Sequence, residues 1–392
     1  MDQRLLDAAR KALELPVELP SWGFGNSGTR FGVFLDPTSA RNTQEKIQDA
    51  ATVNRYTGGA PSVALHIPWD KCDDWAGLAG YAEQQGVKLG AINPNVFQDQ
   101  EYRLGSATHP DPAVRAKAVA HMVECAEICA LTGSRYLSLW FADGTNYPGQ
   151  DSILERRRRL KGALEQVYAK LPPQVTMLIE YKLFEPGFYT TDLADWGSAF
   201  TLAKALGPRA KVLVDTGHHA PGTNIAYIVA LLLEEKALGG FHFNDRRYAD
   251  DDLIVGSSNP QDLFLIFHEL VNGGTGGRAA DVAYMLDQSH VIEPKIEAMI
   301  LSVLNVQTAY AKALLVDTKE LAALQQAGDV LGAHSLLMDA FQTDVRPGLA
   351  AARLERGLPE DALGAYRSSG HARKLAVERA DRSSSAGGLG GG

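Results

Sequence analysis

The segment KVLVDTGHHAPGTNIAYIVALLLEEKALGGFHFND, residues 211–245, decides the fold. It opens with a short apolar run, Lys211–Asp215, and closes with another, Gly240–Phe243. Between them, Asn224–Leu238 has the apolar periodicity of an amphipathic helix. The two runs have the length and composition of buried strands, so the segment predicts a strand, a helix and a second strand.

The same alternation recurs along the chain and predicts eight strands. Helical patterns such as Ala113–Thr132 and Ile153–Leu171 separate them. Eight strand–helix repeats are typical of a (β/α)8 TIM barrel, an α/β fold with its active site at the C-terminal ends of the strands. The predicted strands are Leu19–Trp22, Ser62–Ile67, Lys88–Asn93, Tyr136–Trp140, Thr176–Tyr181, Lys211–Asp215, Gly240–Phe243 and Ala283–Leu286.

The pattern changes toward the C-terminus, and the changes predict three regions. Residues 1–290 form the barrel with the catalytic site. Residues 291–369 form an appended C-terminal helical region, because their helical periodicity is nearly continuous, with breaks at Gly328 and Pro347. Residues 370–392, which end in SSSAGGLGGG, form a disordered tail.

Composition excludes several classes of function. The formal charge of −9 argues against a nucleic-acid groove and against binding to an anionic membrane. No apolar run reaches the roughly 20 residues of a membrane helix, and charges interrupt the amphipathic N-terminus, so it is not a signal peptide. The three cysteines form neither a disulfide framework nor a zinc–thiolate pattern, which predicts a reducing cytoplasm.

Two motifs suggest other functions but fit them poorly. Residues 23–28, GFGNSG, match the dinucleotide-binding spacing G-x-G-x-x-G, yet no helical pattern follows them. A flexible loop over the barrel mouth fits better. Four consecutive arginines, Arg156–Arg159, lie on a predicted helix with no aromatic residues between them, and we interpret them as a solvated helix face.

Polar residues at the ends of four successive strands predict a metal site. Glu180 closes TMLIE, Asp215 closes KVLVD, His242 lies in GGFHF and Asp287 closes AYMLD. One such residue alone would be a cap or a satisfied core group. Adjacent barrel strands are about 5 Å apart, so four of them can converge on one cation. Three carboxylates and one imidazole suit Mn²⁺, with Mg²⁺, Co²⁺ or Zn²⁺ as alternatives.

The loops after strands six and seven predict a second divalent ion. His218 follows Asp215 by three residues, and Asp250 and Asp252 share one face of an extended loop. These three could bind the ion with Glu180 bridging, while Asp245 and Asp251 point elsewhere. The alternative is a solvated acidic loop. We assign the catalytic role to this ion and its water.

Residues on other strands predict contacts with a sugar. Lys182 has the same strand-face parity as Glu180 and could hold a substrate oxygen. His66 offers a hydrogen bond, and Trp140 offers a flat face for the C–H side of a sugar. A salt bridge for Lys182 and core packing for Trp140 are the alternatives.

These motifs together resemble the L-rhamnose isomerases of the pseudomonad subtype, which are metal-dependent aldose–ketose isomerases among the xylose-isomerase-like TIM barrels. The resemblance runs from about Pro20 to Asp344 and more loosely to Ser369. The strings that carry it are SWGFGNSGTRF, LHIPWDK, GTNYPGQ, VDTGHHAPGTNI, GGFHFND, YADDD and LDQSH.

The resemblance implies a homotetramer with two Mn²⁺-type ions per subunit and broad tolerance of sugars. It implies L-rhamnose as substrate, with D-allose and D-psicose among the alternatives. Carried over by position, it implies the same two sets of metal ligands, and Glu180 belongs to both. The first set adds Asp215, His242 and Asp287, and the second adds His218, Asp250 and Asp252. It also implies that Phe31, in the loop after the first strand, forms an apolar wall of a neighbouring subunit's site.

The chemistry implied is transfer of hydrogen between C1 and C2 of an opened sugar, either as a hydride or as a proton through a cis-enediol. Lys182, His218, Asp250 and Asp287 are the candidate catalytic residues. A sugar epimerase on the same scaffold is the main alternative. An endonuclease would need a basic groove, and a sugar-binding module would not need converging ligands for ions.

Overall fold

The computed structural model describes residues 2–29, 32–185, 189–248, 251–273 and 281–380. Eight parallel strands close into a barrel in chain order, β1 pairing with both β2 and β8. The predicted fold class is therefore confirmed, and each predicted strand lies within two residues of an observed one at either end. The strands are β1 Val17–Pro20, β2 Ser62–Ile67, β3 Lys88–Pro94, β4 Tyr136–Leu139, β5 Thr176–Glu180, β6 Ala210–Asp215, β7 Leu238–Phe243 and β8 Ala283–Leu286.

Fourteen α-helices lie in the described part of the chain. Short polar side chains cap many of their N-termini; Asn42 accepts a hydrogen bond from Glu45 N, and Asp195 accepts one from Ser198 N. The helices are α1 Gln3–Ala12, α2 Thr43–Thr57, α3 Trp75–Gln85, α4 Pro112–Thr132, α5 Ile153–Lys170, α6 Trp196–Leu206, α7 Ile225–Glu234, α8 Pro260–Gly273, α9 Lys295–Leu314, α10 Thr318–Ala327, α11 Val330–Gln342, α12 Arg346–Glu355, α13 Ala362–Ser368 and α14 His371–Arg379.

The barrel extends beyond the predicted boundary at residue 290. Helix α9 packs against both α8 and α2, so it closes the outer ring as the helix that follows β8. One face of α9, including Ile300, Val303 and Val306, is buried in the main core. The appended region therefore begins after Leu314, and the sequence misplaced the boundary because α9 continues the helical periodicity of the residues that follow.

The C-terminal helices brace the ring rather than forming a separate unit. Helix α11 packs on α9, α12 on α1, and α13 on both α2 and α9. The breaks predicted at Gly328 and Pro347 are confirmed, since Gly328 ends α10 with φ +70° and Pro347 lies in the first turn of α12.

The predicted disordered tail, residues 370–392, is wrong for residues 371–379. These form α14, and its last residue, Arg379, is buried against α2. Arg379 Nη1 lies 2.8 Å from Asp49 Oδ2, and its Nε lies 3.3 Å from Glu45 Oε2. A low-complexity end does not indicate where the preceding helix stops. Residues 381–392 lie outside the described residues.

The predicted solvated face at Arg156–Arg159 is wrong for its first member. Arg156 is 1% exposed and lies on the inner side of α5. Its guanidinium bonds both oxygens of Asp192, at 2.8–3.0 Å, and also Asp151 and Thr108 Oγ1. Arg156 thus joins the loops that follow β3, β4 and β5. The four arginines look alike in the sequence, but they do not share one environment.

Two further expectations concern the mouth and the membrane. The segment after β1 begins with the 3-10 helix Ser21–Phe24 and then the strand pair Gly28–Thr29 and Gly32–Val33, so no dinucleotide-binding helix opens among the described residues of this segment. Among the described residues, no single helix has the length and apolar character needed to cross a membrane, although α9 and α10 together meet both conditions across a 59° bend.

Candidate metal centre and sugar cavity

A cavity opens at the C-terminal ends of the barrel strands. This is where TIM barrels carry their active sites. Its two sides differ in character, because the carboxylates come from β5 to β8 and aromatic or neutral polar groups come from β1 to β4. The lining residues are Trp22, His66, Asn93, Pro94, Phe97, Ser138, Trp140, Glu180, Lys182, His218, His242, Asp252 and Asp287.

Four of the predicted ligands converge at this cavity, and all but Asp215 line it. Glu180, Asp215, His242 and Asp287 each offer one atom, and these atoms all lie within 4.8 Å of one another. Strand parity explains the convergence. Leu178 and Leu213 face the barrel interior, so residues two further along the same strands, Glu180 and Asp215, face it as well. His242 is in register with Asp215 on the neighbouring strand.

The four groups are held close enough to be electrostatically coupled. His242 Nδ1 lies 3.1 Å from Glu180 Oε2 and 3.6 Å from Asp287 Oδ2. Burial acts to lower the pKa of His242, but the carboxylates outweigh it, Glu180 first, and raise that pKa to about 10. Burial acts to raise the pKa of Glu180, but the positive charge of His242 outweighs it and lowers that pKa. The site therefore stabilises a positive charge at its centre.

Two residues that the sequence did not single out hold the carboxylates in place. Trp22 Nε1 donates to Asp287 Oδ1 at 2.7 Å. Asn244 Nδ2 donates to both oxygens of Asp215, at 3.0 and 3.2 Å, and Gly217 N donates to the same carboxylate at 2.6 Å. Such outer contacts orient metal ligands and tune their affinity. Trp22 and Asn244 lie in the turns after β1 and β7, so strand parity could not have predicted their direction.

The predicted second set of ligands is placed only in part. His218 and Asp252 line the same cavity as Glu180, whereas Asp250 lies outside the described residues. His218 Nδ1 lies 3.0 Å from Tyr181 O and 3.2 Å from Glu180 Oε1. A proton on Nδ1 shared with that carbonyl leaves Nε2 as the lone-pair nitrogen, which is the tautomer that a metal requires.

Two aspartates of the acidic segment after β7 accept hydrogen bonds from nearby backbone N–H groups. Asp251 accepts hydrogen bonds from the N–H groups of Arg247 and Tyr248, and Asp245 accepts from Ser258 and Asn259. Asp252 has φ +47°, a left-handed conformation that aspartate adopts more readily than most residues other than glycine.

The predicted sugar-contacting residues form the other side of the cavity. Trp69 stacks on His66 with ring centres 4.0 Å apart, and Phe97 meets Trp140 edge-on at 4.8 Å. Lys182 Nζ lies 5.0 Å above the Trp140 ring, close enough for a cation–π contact. Trp140 is therefore part of the cavity wall and not core packing alone. Phe31 lies outside the described residues.

A buried ion pair beneath this wall was also missed. Asp70 accepts a hydrogen bond from the backbone N–H of His66 at 2.9 Å, and Lys46 Nζ lies 2.7 Å from its other oxygen. Both Lys46 and Asp70 are fully buried. Burial and the nearby charge of Lys46 hold the pKa of His66 well below its usual value. His66 therefore presents a neutral imidazole to the cavity.

The chemistry of the donors fits a divalent ion. Three carboxylates and an imidazole supply oxygen and nitrogen ligands without thiolate, a set suited to Mn²⁺ or a related ion and not typical of a structural zinc site. A closed parallel barrel with this cluster at its C-terminal face defines the class of TIM barrels whose cavity can hold a divalent cation.

The chain belongs to the family described as the xylose isomerase-like TIM barrel, which matches residues 55–288. It is 45% identical to a protein of Rhizobium meliloti named a probable sugar isomerase, over 98% of this chain and 91% of the relative. A probable sugar isomerase of Mesorhizobium japonicum is 44% identical over the same shares. An L-rhamnose isomerase of Shigella sonnei is 25% identical over 84% of each chain.

Solved structures agree on the fold. The structure of an L-ribulose 3-epimerase matches with a TM-score of 0.59 and 15% identity, over 78% of this chain and 99% of that chain. At this identity the likeness concerns the barrel alone. The part of this chain outside the match exceeds a fifth of its length, whereas the epimerase is matched almost completely.

Proposed function

We propose that the protein is a metal-dependent aldose–ketose isomerase that interconverts L-rhamnose and L-rhamnulose and accepts rare sugars such as D-allose and D-psicose. The observation that carries this proposal is the convergence of Glu180, Asp215, His242 and Asp287 within 4.8 Å at the mouth of the barrel. The names of the relatives support it, since the 45% identical protein is a probable sugar isomerase and more distant ones are L-rhamnose isomerases.

Two divalent ions per subunit, Mn²⁺ or else Co²⁺, Mg²⁺ or Zn²⁺, complete the proposal. Glu180, Asp215, His242 and Asp287 would hold the first ion. His218, Asp250 and Asp252 would hold the second, with Glu180 bridging the two. Bound at these residues, a divalent ion polarises a carbonyl group and lowers the pKa of the hydroxyl group that it contacts.

The residues of the chain itself would bind, orient and shield the opened sugar. Lys182 supplies a positive charge that acts on Glu180, and its contacts with the Trp140 ring and with Glu185 Oε2, 3.5 Å away, limit its freedom, so it can hold a substrate oxygen. Neutral His66 can donate or accept a hydrogen bond at a sugar hydroxyl. Trp140 and Phe97 would give the C–H side of the sugar an apolar surface and exclude water.

Asp287 is the carboxylate best placed to exchange a proton with the sugar. Its side chain is 21% exposed, while those of Glu180 and His242 are 3% and 4% exposed. Asp287 Oδ1 accepts the hydrogen bond from Trp22, and Asp287 Oδ2 lies 3.6 Å from His242 Nδ1. Movement of hydrogen as a proton at this carboxylate would introduce solvent deuterium at C1 or C2 of the product in D₂O, whereas a direct hydride shift would not.

A panel of aldoses and ketoses, assayed after chelator treatment with Mn²⁺, Co²⁺ or Mg²⁺ added back, tests the function. NMR of the products separates conversion between C1 and C2 from inversion at C3, which is the outcome expected of an epimerase. We expect L-rhamnose to yield L-rhamnulose only when metal is restored. Inversion of a ketose at C3 without formation of an aldose would show that the activity is that of an epimerase and not that of an isomerase.

Asp215→Asn tests the metal centre. The amide keeps the shape of the side chain but removes the charge that an ion needs, so we expect loss of ion binding and activity. Asp143→Asn is the control, because Asp143 is also a buried carboxylate on this face but bonds Ser106 and Thr108 and is not among the cavity residues. Full activity of Asp215→Asn in chelator would show that the cluster is not a metal centre.

We further propose that the protein works as a homotetramer in the cytoplasm, as the resemblance to L-rhamnose isomerases implies. Mass measured by light scattering after size-exclusion chromatography tests the assembly. A particle of one 42.3 kDa chain at assay concentration would contradict it.

A further inference from the structure

Arg246 joins the two loops that carry the ligands proposed for the second ion. It follows β7 by three residues and is 8% exposed. Its Nε donates to Thr216 O at 3.0 Å, and its Nη1 donates to His219 O at 2.5 Å. These two carbonyls flank His218 in the loop after β6, so one guanidinium spans the backbone on both sides of that histidine.

The same arginine is anchored at its own backbone. Asn259 Nδ2 donates to Arg246 O at 2.7 Å, and the Asp245 carboxylate accepts from Asn259 N and from Asn259 Nδ2, each at 2.9 Å. The main chains of Asp245 and Leu253 exchange two hydrogen bonds of 3.0 Å, which close the base of the loop that carries Asp252. Arg246 therefore extends from a fixed base of one loop to the backbone of the other.

We propose that Arg246 is a positioning residue for the second ion, because it sets His218 of one loop against Asp252 of the other. This inference rests on the proposed function, since it needs the second ion to exist. A guanidinium near a cation site repels the cation, so Arg246 can favour the second ion only through its two bonds to the backbone around His218.

The space around Arg246 allows the loop to move when the arginine is shortened. Arg246 lines a second, small cavity, bounded by Thr216, Asn244 and the apolar residues Leu263 and Ile266. Without the two hydrogen bonds, the loop after β6 can relax toward this space and carry His218 away from Glu180. The outer contacts of metal ligands typically contribute 10- to 100-fold in affinity.

Substitution of Arg246 by methionine, followed by titration of the chelator-treated protein with Mn²⁺ by calorimetry and by EPR of free Mn²⁺, tests the inference. We expect the wild type to bind two ions. We expect Arg246→Met to bind the first ion as tightly as the wild type and the second about 10- to 100-fold more weakly. If only the charge of Arg246 mattered, removal of the guanidinium would tighten the binding of both ions. Weaker binding of the second ion alone would therefore show that His218 and Asp252 are no longer held in position.

Two arginine variants serve as controls. Arg247→Met changes the adjacent, exposed arginine, whose side chain lies over Tyr248. Arg353→Met changes an arginine of equal burial, 8% exposed, which bonds Glu360 O in the C-terminal region. We expect Arg353→Met to lower the melting temperature without changing either ion affinity, and Arg247→Met to change neither. Arg246→Lys keeps the charge but cannot span both carbonyls, so it should weaken the second site if the methionine variant does not fold.

The outcomes separate this inference from the function beneath it. A wild type that binds one ion overturns the two-ion proposal and this inference with it. A wild type and an Arg246 variant that both bind two ions with equal affinity overturn the positioning role alone. Equal weakening of both sites by Arg246→Met and by Arg353→Met would also overturn it, because both arginines would then act only through general stability.

Discussion

The hydrogen bond from Trp22 to Asp287 gives the most direct test of how the metal centre is organised. Trp22→Phe keeps an aromatic ring in the barrel interior but removes the N–H that bonds Asp287 Oδ1 at 2.7 Å. A hydrogen bond to a charged group contributes about 1.5–3 kcal/mol. If that energy serves to orient the carboxylate, its loss corresponds to about 10- to 150-fold in ion affinity, since each 1.4 kcal/mol is about tenfold.

Trp22 also has a packing role, so the protein should lose some stability. Its ring is 4% exposed and meets His66 and His242 edge-on, with ring centres 5.5 and 6.4 Å apart. A smaller ring leaves part of this volume unfilled, and we expect the free energy of unfolding to fall by about 1–2 kcal/mol. Stability and ion affinity must therefore be measured separately, by urea denaturation of the ion-free protein and by competition for Mn²⁺ against a chelator of known affinity.

Trp69→Phe provides the matched control. Trp69 stacks on the cavity residue His66 and also donates from Nε1, but its acceptor is Gln98 Oε1, at 2.9 Å. We expect Trp69→Phe to leave the first Mn²⁺ affinity unchanged and Trp22→Phe to lower it at least tenfold. Equal affinities in the two variants would refute the reasoning, because the Trp22 bond would then make no contribution to ligand orientation.

Two further predictions concern stability. Burial lowers the pKa of His268, so the folded protein does not bind the proton that the unfolded chain takes up below the ordinary histidine pKa of about 6.5. The free energy of unfolding should therefore fall between pH 7.5 and 5.5, and His268→Leu should reduce that fall. Equal losses of stability in the wild type and the variant would contradict the assignment to His268. Arg379→Met leaves Asp49 buried without its guanidinium and should cost about 3–5 kcal/mol in urea denaturation, while Arg373→Met, on the exposed side of the same helix, should cost little.

Strand parity made the first set of ligands predictable from the sequence. Each apolar run ends in a polar residue that would be costly to bury alone, and a period of two places it on the same side as the interior residues before it. Glu180 and Asp215 follow Leu178 and Leu213 in this way, and the structure brings them together with His242 and Asp287. The barrel was predictable for a similar reason, because eight alternations admit few other folds.

Contacts made by turns and by helix ends were not predictable in the same way. The direction of Trp22 depends on the 3-10 helix after β1, and that of Asn244 depends on the turn after β7. Arg156 stands next to three other arginines, and only the rotation of α5 decides which of them is buried. Long side chains of this kind act across loops that are far apart in sequence, so no local pattern marks them.

The Arg156 junction has a practical consequence for anyone who wishes to redesign the sugar preference of this barrel by directed evolution. A library that varies the loops after β3, β4 and β5 independently would generate many inactive clones, because all three loops share one anchoring guanidinium. Randomisation of Asn93, Ser138 and Trp140, with Arg156, Asp151 and Asp192 kept constant, would alter the surface presented to the sugar while the scaffold behind it stays intact.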